Sequence, residues 1–262
     1  MNWKPAGWIV GSLVAAAFAA GPVDPTWLRK HVPEVQAVNG YKPLFEGERV
    51  LRSVVRYGEL VGSQAEAALP NEERIYVVAE GKGEVVYQGA KRAVRAGDFF
   101  YCAPGAKHAL NGSGWRVVVM GFKASPASVP PELPVANLEE IRKQTVAGHP
   151  PTVLYQLMIG DTKSTRDRLA VAQTVTSLYV MEFEPGGTNA PHHHEDEEEI
   201  YYLMDGKGEM VAGSGMDGLL GKYEARPGDA YFFRKNCTVG FYADSAPGAK
   251  AHILAVRSRL AR

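Results

Sequence analysis

The feature that most constrains this chain is that it repeats itself. The run from Ile75 to Glu84 (IYVVAEGKGE) is echoed from Ile200 to Glu209 (IYYLMDGKGE), at an offset of 125 residues. Carried back without a gap, that offset sets Glu72 and Glu73 against Glu197 and Glu198, Gly62 against Gly187, and Glu59 against Glu184. Downstream, Gly97-Asp98 aligns with Gly228-Asp229 at an offset of 131, so the second copy carries six extra residues within the Gly-rich stretch from Val211 to Pro227. Self-similarity over such a length means a fold assembled from two copies of one unit. A chain of 262 residues has room for two domains of ordinary size.

Each copy reads as strands. Arg74–Val78, Gly83–Tyr87 and Arg116–Phe122 in the first, and Thr176–Phe183, Glu199–Met204, Ala230–Phe233 and Ala251–Val256 in the second, are rich in β-branched and aromatic residues and bounded by Gly, Pro, Asn or Asp. The chain's 28 Gly and 17 Pro fit frequent tight turns between short strands. One helix is expected over Leu138–Gln144, with Asn137 as its N-cap and Glu140 completing a capping box. It lies in a Pro-rich linker that follows Ser125–Pro134.

Charge and cysteine content remove several classes. Lys plus Arg and Asp plus Glu both total 29, so the chain lacks the basic footprint of a nucleic-acid binder. Hydrophobic residues at 45% and charged residues at 22% are globular rather than disordered values. Two cysteines, Cys102 and Cys237, make neither a disulfide scaffold nor a Cys-rich zinc module. At the N-terminus, Lys4 precedes an uncharged run from Ala6 to Ala20 that ends in small residues such as Ala17-Phe18-Ala19. This is the layout of a secretory signal peptide over residues 1–20, and the run is shorter than the ~18 apolar residues of a membrane span. The expectation is an exported protein, periplasmic or extracellular, with no stable span after cleavage.

The chemistry concentrates in Gly186–Gly206. His192 and His194 are two apart, so on an extended strand they project to one face while His193 points away. Glu199 follows a tight acidic turn, where a hairpin partner brings its carboxylate opposite the two imidazoles. Two His and one carboxylate on one face of a divalent transition metal leave open positions, the arrangement associated with non-haem iron, with Mn, Ni, Co or Zn as other occupants. Glu195 to Glu198 read as a solvated acidic turn, and Tyr201-Tyr202 as barrel core with one phenol free to face the pocket.

The spacing Gly186-x5-His192-x-His194-x4-Glu199-x6-Gly206 resembles the first signature motif of the cupin superfamily at every position, and Pro227-Gly228-Asp229 resembles the start of the second. Because the likeness covers both halves, about Phe45–Phe122 and Met158–Val256, the chain looks like a bicupin. That resemblance implies an all-β fold of two cupin, jelly-roll type β-barrels in tandem with a short helix in the linker. The implied layout is a 21–44 extension, an N-terminal cupin at 45–125, a linker at 126–150 and a metal-binding cupin at 151–262.

Two departures matter. The second cupin motif supplies a fourth ligand eleven residues after its Gly, and here that position is Val239, which cannot ligate. Cys237, two residues earlier on the same strand face, is the nearest substitute. In the first copy, Ala67, Leu69 and Arg74 stand where His192, His194 and Glu199 stand in the second, while His108 keeps the fourth-ligand position. A lone His there is expected to pack or hydrogen-bond rather than hold a metal.

Cupins host many activities, so the resemblance implies chemistry only broadly. The leading expectation is a metal-dependent enzyme acting on a small organic molecule, with dioxygenase-like oxidoreductase chemistry at the His192, His194, Glu199 site. The alternatives are a hydrolase similar to ureidoglycine aminohydrolases, whose layout matches but whose ligand set differs, and a non-catalytic small-molecule-binding cupin. A homo-oligomer is compatible with the family.

Overall fold

The computed structural model describes residues 26–214 and 221–260; the expected signal segment, residues 1–20, lies outside them. The first half supplies β1 (Trp27–His31), β2 (Tyr41–Phe45), β3 (Val54–Leu60), β4 (Gln64–Ala67), β5 (Glu72–Glu80), β6 (Lys82–Tyr87), β7 (Ala90–Arg95), β8 (Asp98–Cys102), β9 (His108–Gly112), β10 (Arg116–Lys123) and β11 (Val135–Asn137). The second supplies β12 (Val153–Asp161), β13 (Leu169–Ala172), β14 (Val175–Phe183), β15 (Glu197–Asp205), β16 (Gly208–Ser214), β17 (Gly221–Ala225), β18 (Asp229–Phe233), β19 (Cys237–Ala243) and β20 (Ala251–Arg259). Each stretch expected to be a strand falls within one of these, and the fold is all-β.

The strands form four sheets, ordered β11-β8-β5-β10-β3-β2 and β4-β9-β6-β7 in one half, and β1-β18-β15-β20-β14-β12-β13 and β17-β16-β19 in the other. In each half the small sheet closes over one face of the large sheet, with Tyr76, Val78, Phe100 and Leu110 inside the first sandwich and Tyr201, Leu203, Phe233 and Phe241 inside the second. The other faces of the two large sheets share a third core, where Ile75 and Val77 meet Ile200, Tyr202 and Phe232. Central strands such as β5 and β15 are therefore buried on both faces. That is why their sequences read as continuous apolar runs instead of alternating ones.

The first half lends a strand to the second, and the halves exchange carboxylates. β1 pairs antiparallel with β18 of the other half, Trp27 opposite Phe233, while β11 pairs with β8 of the half it follows. Glu73 accepts the backbone N–H groups of Gln173, Thr174 and Val175. Its repeat counterpart Glu198 accepts those of Arg52 and Ser53, both at 2.8 Å, together with the Ser53 hydroxyl. Glu198 is only 1% exposed, so it is not part of a solvated acidic turn as expected. Its charge is held instead by donors from the opposite half.

Two further expectations are revised. The linker helix is a single 3-10 turn, Leu138–Glu140, capped as expected by the Asn137 side chain accepting from the Glu139 N–H. Beyond it the chain is held otherwise: Gln156 also donates to the carbonyls of Leu138 and Ile141, and Gln144 is committed to a two-bond bridge with Tyr155. The repeat register also changes upstream. Gly58 and Tyr76 flank Val119 as Tyr179 and Tyr201 flank Ala255. Glu59 therefore corresponds to Val180, not Glu184, at an offset of 121. The second copy's four extra residues fall between Met181 and His192. They lengthen the loop through Gly186, whose N–H reaches Asp244 and whose neighbour Gly187 accepts from Ala243.

Candidate metal centre

After β14 the chain turns at Gly186, whose φ of +69° suits glycine, and runs back along β19. His192 bridges Val239 by two backbone hydrogen bonds of 2.9 and 2.8 Å, and the His194 carbonyl accepts from the Asn236 N–H at 2.7 Å. This extended run puts His192 and His194 on one side, as their spacing predicts. Asn189 anchors it from beneath: 2% exposed, it donates to the Tyr201 hydroxyl and accepts the Phe241 N–H. β15 then carries Glu199 in, opposite Phe233 and Arg257.

His192, His194 and Glu199 each offer a ligand atom, and these atoms lie within 4.8 Å of one another. The His192 Nδ1–H donates to the Ala190 carbonyl at 2.9 Å, which leaves Nε2 as the free lone pair. Ala190 itself sits at φ +55°, an uncommon conformation for a residue with a Cβ. The Glu199 Oε1 accepts from the Tyr179 hydroxyl at 2.8 Å. The His194 Nε2 and Glu199 Oε2 face each other at 3.3 Å, both buried and neither hydrogen-bonded. A cation shared by these atoms would satisfy both, so the donor set and its orphaned atoms fit a divalent metal.

The electrostatics agree. Burial pushes the Glu199 carboxyl up, but the His194 and His192 imidazoles and Arg257 hold it below the usual carboxylate range. Burial pulls His194 down, and the Glu199 carboxylate more than reverses this, so the imidazole ends above its ordinary value. Glu199 is thus ionised at neutral pH and ready to ligate.

A small cavity of about 30 Å³ opens on the triad. Its walls include Tyr155, Arg257 and His149, none of which the sequence analysis identified. The Tyr155 hydroxyl and the Arg257 Nε are buried without partners, while the Arg257 Nη1 lies 3.4 Å from Glu197. His149 packs 5.5 Å from the His192 ring, nearly perpendicular to it. It comes from the linker, and burial lowers its pKa. Tyr201 is the member of the Tyr201-Tyr202 pair that faces the cavity; the Tyr202 hydroxyl instead donates to Glu59 of the other half. A motif search would not find Arg257 or Tyr155, because they reach the site only through the pairing of β20 with β15 and of β12 with β14.

Cys237 does not replace the missing fourth ligand. Its thiol turns to the Gly213 carbonyl, burial raises its pKa, and it lies outside both the ligand cluster and the cavity wall. Cys102 and Cys237 are both free and buried. In the first half, Ala67 pairs with His108 as His192 pairs with Val239. His108 is a hydrogen-bonding residue as expected: its Nδ1–H donates to the Ala106 carbonyl at 2.8 Å and its Nε2 accepts from the Tyr76 hydroxyl at 2.7 Å.

Comparison with known proteins agrees with this architecture. A family model described as the cupin domain matches residues 179–255, which contain the triad. The chain carries a cupin domain and has the all-β cupin fold. A protein of Pseudomonas aeruginosa named for induction by glyoxylate is similar at 18% identity and a TM-score of 0.69, over 93% of this chain and 95% of that one. The Lactobacillus farciminis oxalate decarboxylase, solved as a formate complex, is similar at 13% identity and a TM-score of 0.68, over 92% and 88%. Bacillus subtilis oxalate decarboxylase, which has Mn(II) centres, is similar at 14% identity and a TM-score of 0.66, over 93% and 79%. A search of the curated proteins found no match.

Proposed function

We propose that the protein is an exported bicupin enzyme that holds one divalent transition metal, iron or manganese ahead of nickel, cobalt or zinc, at His192, His194 and Glu199. It acts on a small organic molecule by dioxygenase-like oxidoreductase chemistry. One observation carries this reading: three ligand atoms converge beside a cavity while Val239 stands at the fourth-ligand position, so coordination positions remain for substrate. Manganese in a protein of the same fold supports the metal class, and the layout of residues 1–20 supports export.

When bound, the metal supplies a Lewis-acidic centre with positions open to substrate and dioxygen. The chain supplies the rest. Tyr179 fixes the Glu199 carboxylate, and the Ala190 carbonyl fixes the His192 tautomer. Val146 and Leu157 dry the cavity wall. The Tyr155 O–H and Arg257 Nε–H, unpartnered in the cavity, are placed to donate to oxygen atoms of a substrate.

The test is to load the protein with Fe(II) or Mn(II) and follow oxygen uptake across a panel of small organic acids, enols and phenols. Nitric oxide or azide binding is recorded in parallel. Oxygen uptake that disappears in Glu199→Ala supports the reading. A loaded metal that binds azide but consumes no oxygen with any compound removes the oxygenase chemistry and favours a hydrolase. A metal with no exchangeable position makes the site structural and the protein a binding cupin.

A further inference from the structure

The first sandwich has its own cavity, of about 340 Å³, and its walls include Tyr41, Arg56, Ser63, Gln64 and Arg74. It is the counterpart of the metal-site cavity. Tyr41 stands opposite Leu60 as Tyr155 stands opposite Met181, and Arg74 stands opposite Cys102 as Glu199 stands opposite Phe233. A guanidinium therefore replaces the carboxylate ligand, in a half that has also exchanged both imidazoles for Ala67 and Leu69. We propose that this cavity is a second, metal-free binding site for a small molecule bearing a carboxylate, with Arg74 supplying the positive centre that the metal supplies in the other half.

The polar inventory of the cavity carries the argument. Arg74 is 5% exposed and held rigidly: its Nε donates to Glu72 at 2.8 Å, and its Nη1 to Gln64 and the Tyr76 hydroxyl at 3.3 and 3.4 Å. His108 fixes that hydroxyl from behind. The Arg74 Nη2 takes no part in these bonds. The Tyr41 hydroxyl and the Arg56 Nε are buried with no hydrogen-bond partner, and the Arg56 guanidinium lies over the Tyr41 ring at 5.9 Å. The carboxylates paired with these arginines are already engaged: Glu72 with both, at 2.8 and 3.4 Å, and Glu46 with Arg56, at 3.2 Å. Thus the two buried lining atoms that make no hydrogen bond, the Tyr41 hydroxyl and the Arg56 Nε 3.4 Å from Glu72, can both donate. A group that offers only acceptors in a planar pair, an ionised carboxylate, is the complement of such a set. Burying unpaired donors costs stability, and a ligand that satisfies them recovers that cost. This site is independent of the metal.

The experiment uses the full chain carrying His192→Ala and His194→Ala in EDTA, so that the second sandwich binds no metal. Acetate, succinate and benzoate are titrated by calorimetry, with inorganic phosphate as the comparison anion, and melting temperature is read alongside. At least one carboxylate is expected to bind and raise the melting temperature. Tyr41→Phe keeps the ring and removes the orphaned donor, so it should leave the unliganded fold at least as stable and weaken binding about tenfold, the worth of one hydrogen bond to a charged group. Arg56→Gln should weaken it by at least as much. Absence of binding by every carboxylate overturns the proposal. So does binding that both variants leave unchanged, binding of phosphate alone, or binding seen in the native chain and lost in the double-alanine background.

Discussion

Removing the Glu198 carboxylate tests the claim that the two halves are tied together by exchanged acidic side chains. In Glu198→Ala the Ser53 N–H, in a residue with no exposed surface, loses its acceptor, and the Ser53 hydroxyl keeps only its 2.8 Å contact with Ser258. The Arg52 N–H belongs to an exposed residue and can turn to water. A buried donor left unsatisfied costs ~1–3 kcal/mol, and each charge-assisted bond lost costs about 1.5–3. The carboxylate's own desolvation is relieved at the same time, which brings the net to about 3 kcal/mol. For a chain of this size each kcal/mol moves the melting temperature by ~2–4 °C, so a fall on the order of 6–12 °C is expected. Calorimetry in EDTA keeps metal linkage out of the comparison. Glu195→Ala, at a side chain 79% exposed, is the control and should stay within about 0.5 kcal/mol of the native chain. If Glu198→Ala melts with Glu195→Ala, the carboxylate clamp does not hold the halves together.

Four further outcomes follow from the same geometry. Tyr179→Phe leaves the Glu199 Oε1 without its donor and should weaken metal binding about 10–100-fold in chelator competition; unchanged affinity would show that Tyr179 does not support the ligand. Burial lowers the His108 pKa below its ordinary value of 6.5, so the unfolded chain takes up this proton first and stability should fall as pH drops below 6.5. His108→Gln should flatten that slope in denaturant titrations at pH 5 to 7. Burial favours protonation of Glu182, but Lys143, Lys250 and His252 outweigh it and hold the carboxyl at about 2. Its contribution is present above pH 4.5 and lost as pH falls from there toward 2, and Glu182→Gln should remove that part of acid unfolding. Gly206→Ala combines a φ of +75° with a Cβ placed 2.2 Å from the Lys250 carbonyl, so it should destabilise by about 3 kcal/mol or more, read as a lower denaturation midpoint.

Much of the architecture was legible in the sequence because burial left a mark on it. Ile75–Val78 and Ile200–Leu203 are apolar on both faces because a sandwich interior lies on one side and the partner sheet on the other. The convergence of the candidate triad was legible because His192, His194 and Glu199 are close in sequence and strand periodicity fixes their facing. What stayed hidden depends on partners far away in the chain. Glu198 sits in an acidic run that looks solvated, and only the approach of Ser53 buries it. Tyr155 and Arg257 come to the site through pairing across the sheet, and His149 through the path of the linker. Leu138–Gln144 has a sound helical start at Asn137, yet beyond Glu140 its backbone groups are held by Gln156 and Tyr155. Cys237 lay on the right strand face, but its thiol is turned to a backbone carbonyl.

The central claim is that His192, His194 and Glu199 hold a metal, and its most direct test is a count of metal atoms. The chain from about Gly21, expressed without a histidine tag, is analysed by elemental mass spectrometry beside the His192→Ala/His194→Ala double variant, both confirmed folded by circular dichroism. The account predicts close to one Fe, Mn, Ni, Co or Zn per native chain, as isolated or after reconstitution, and a loss of that metal in the variant. A native chain that stays metal-free after reconstitution, or a variant that retains the same metal content, would contradict it.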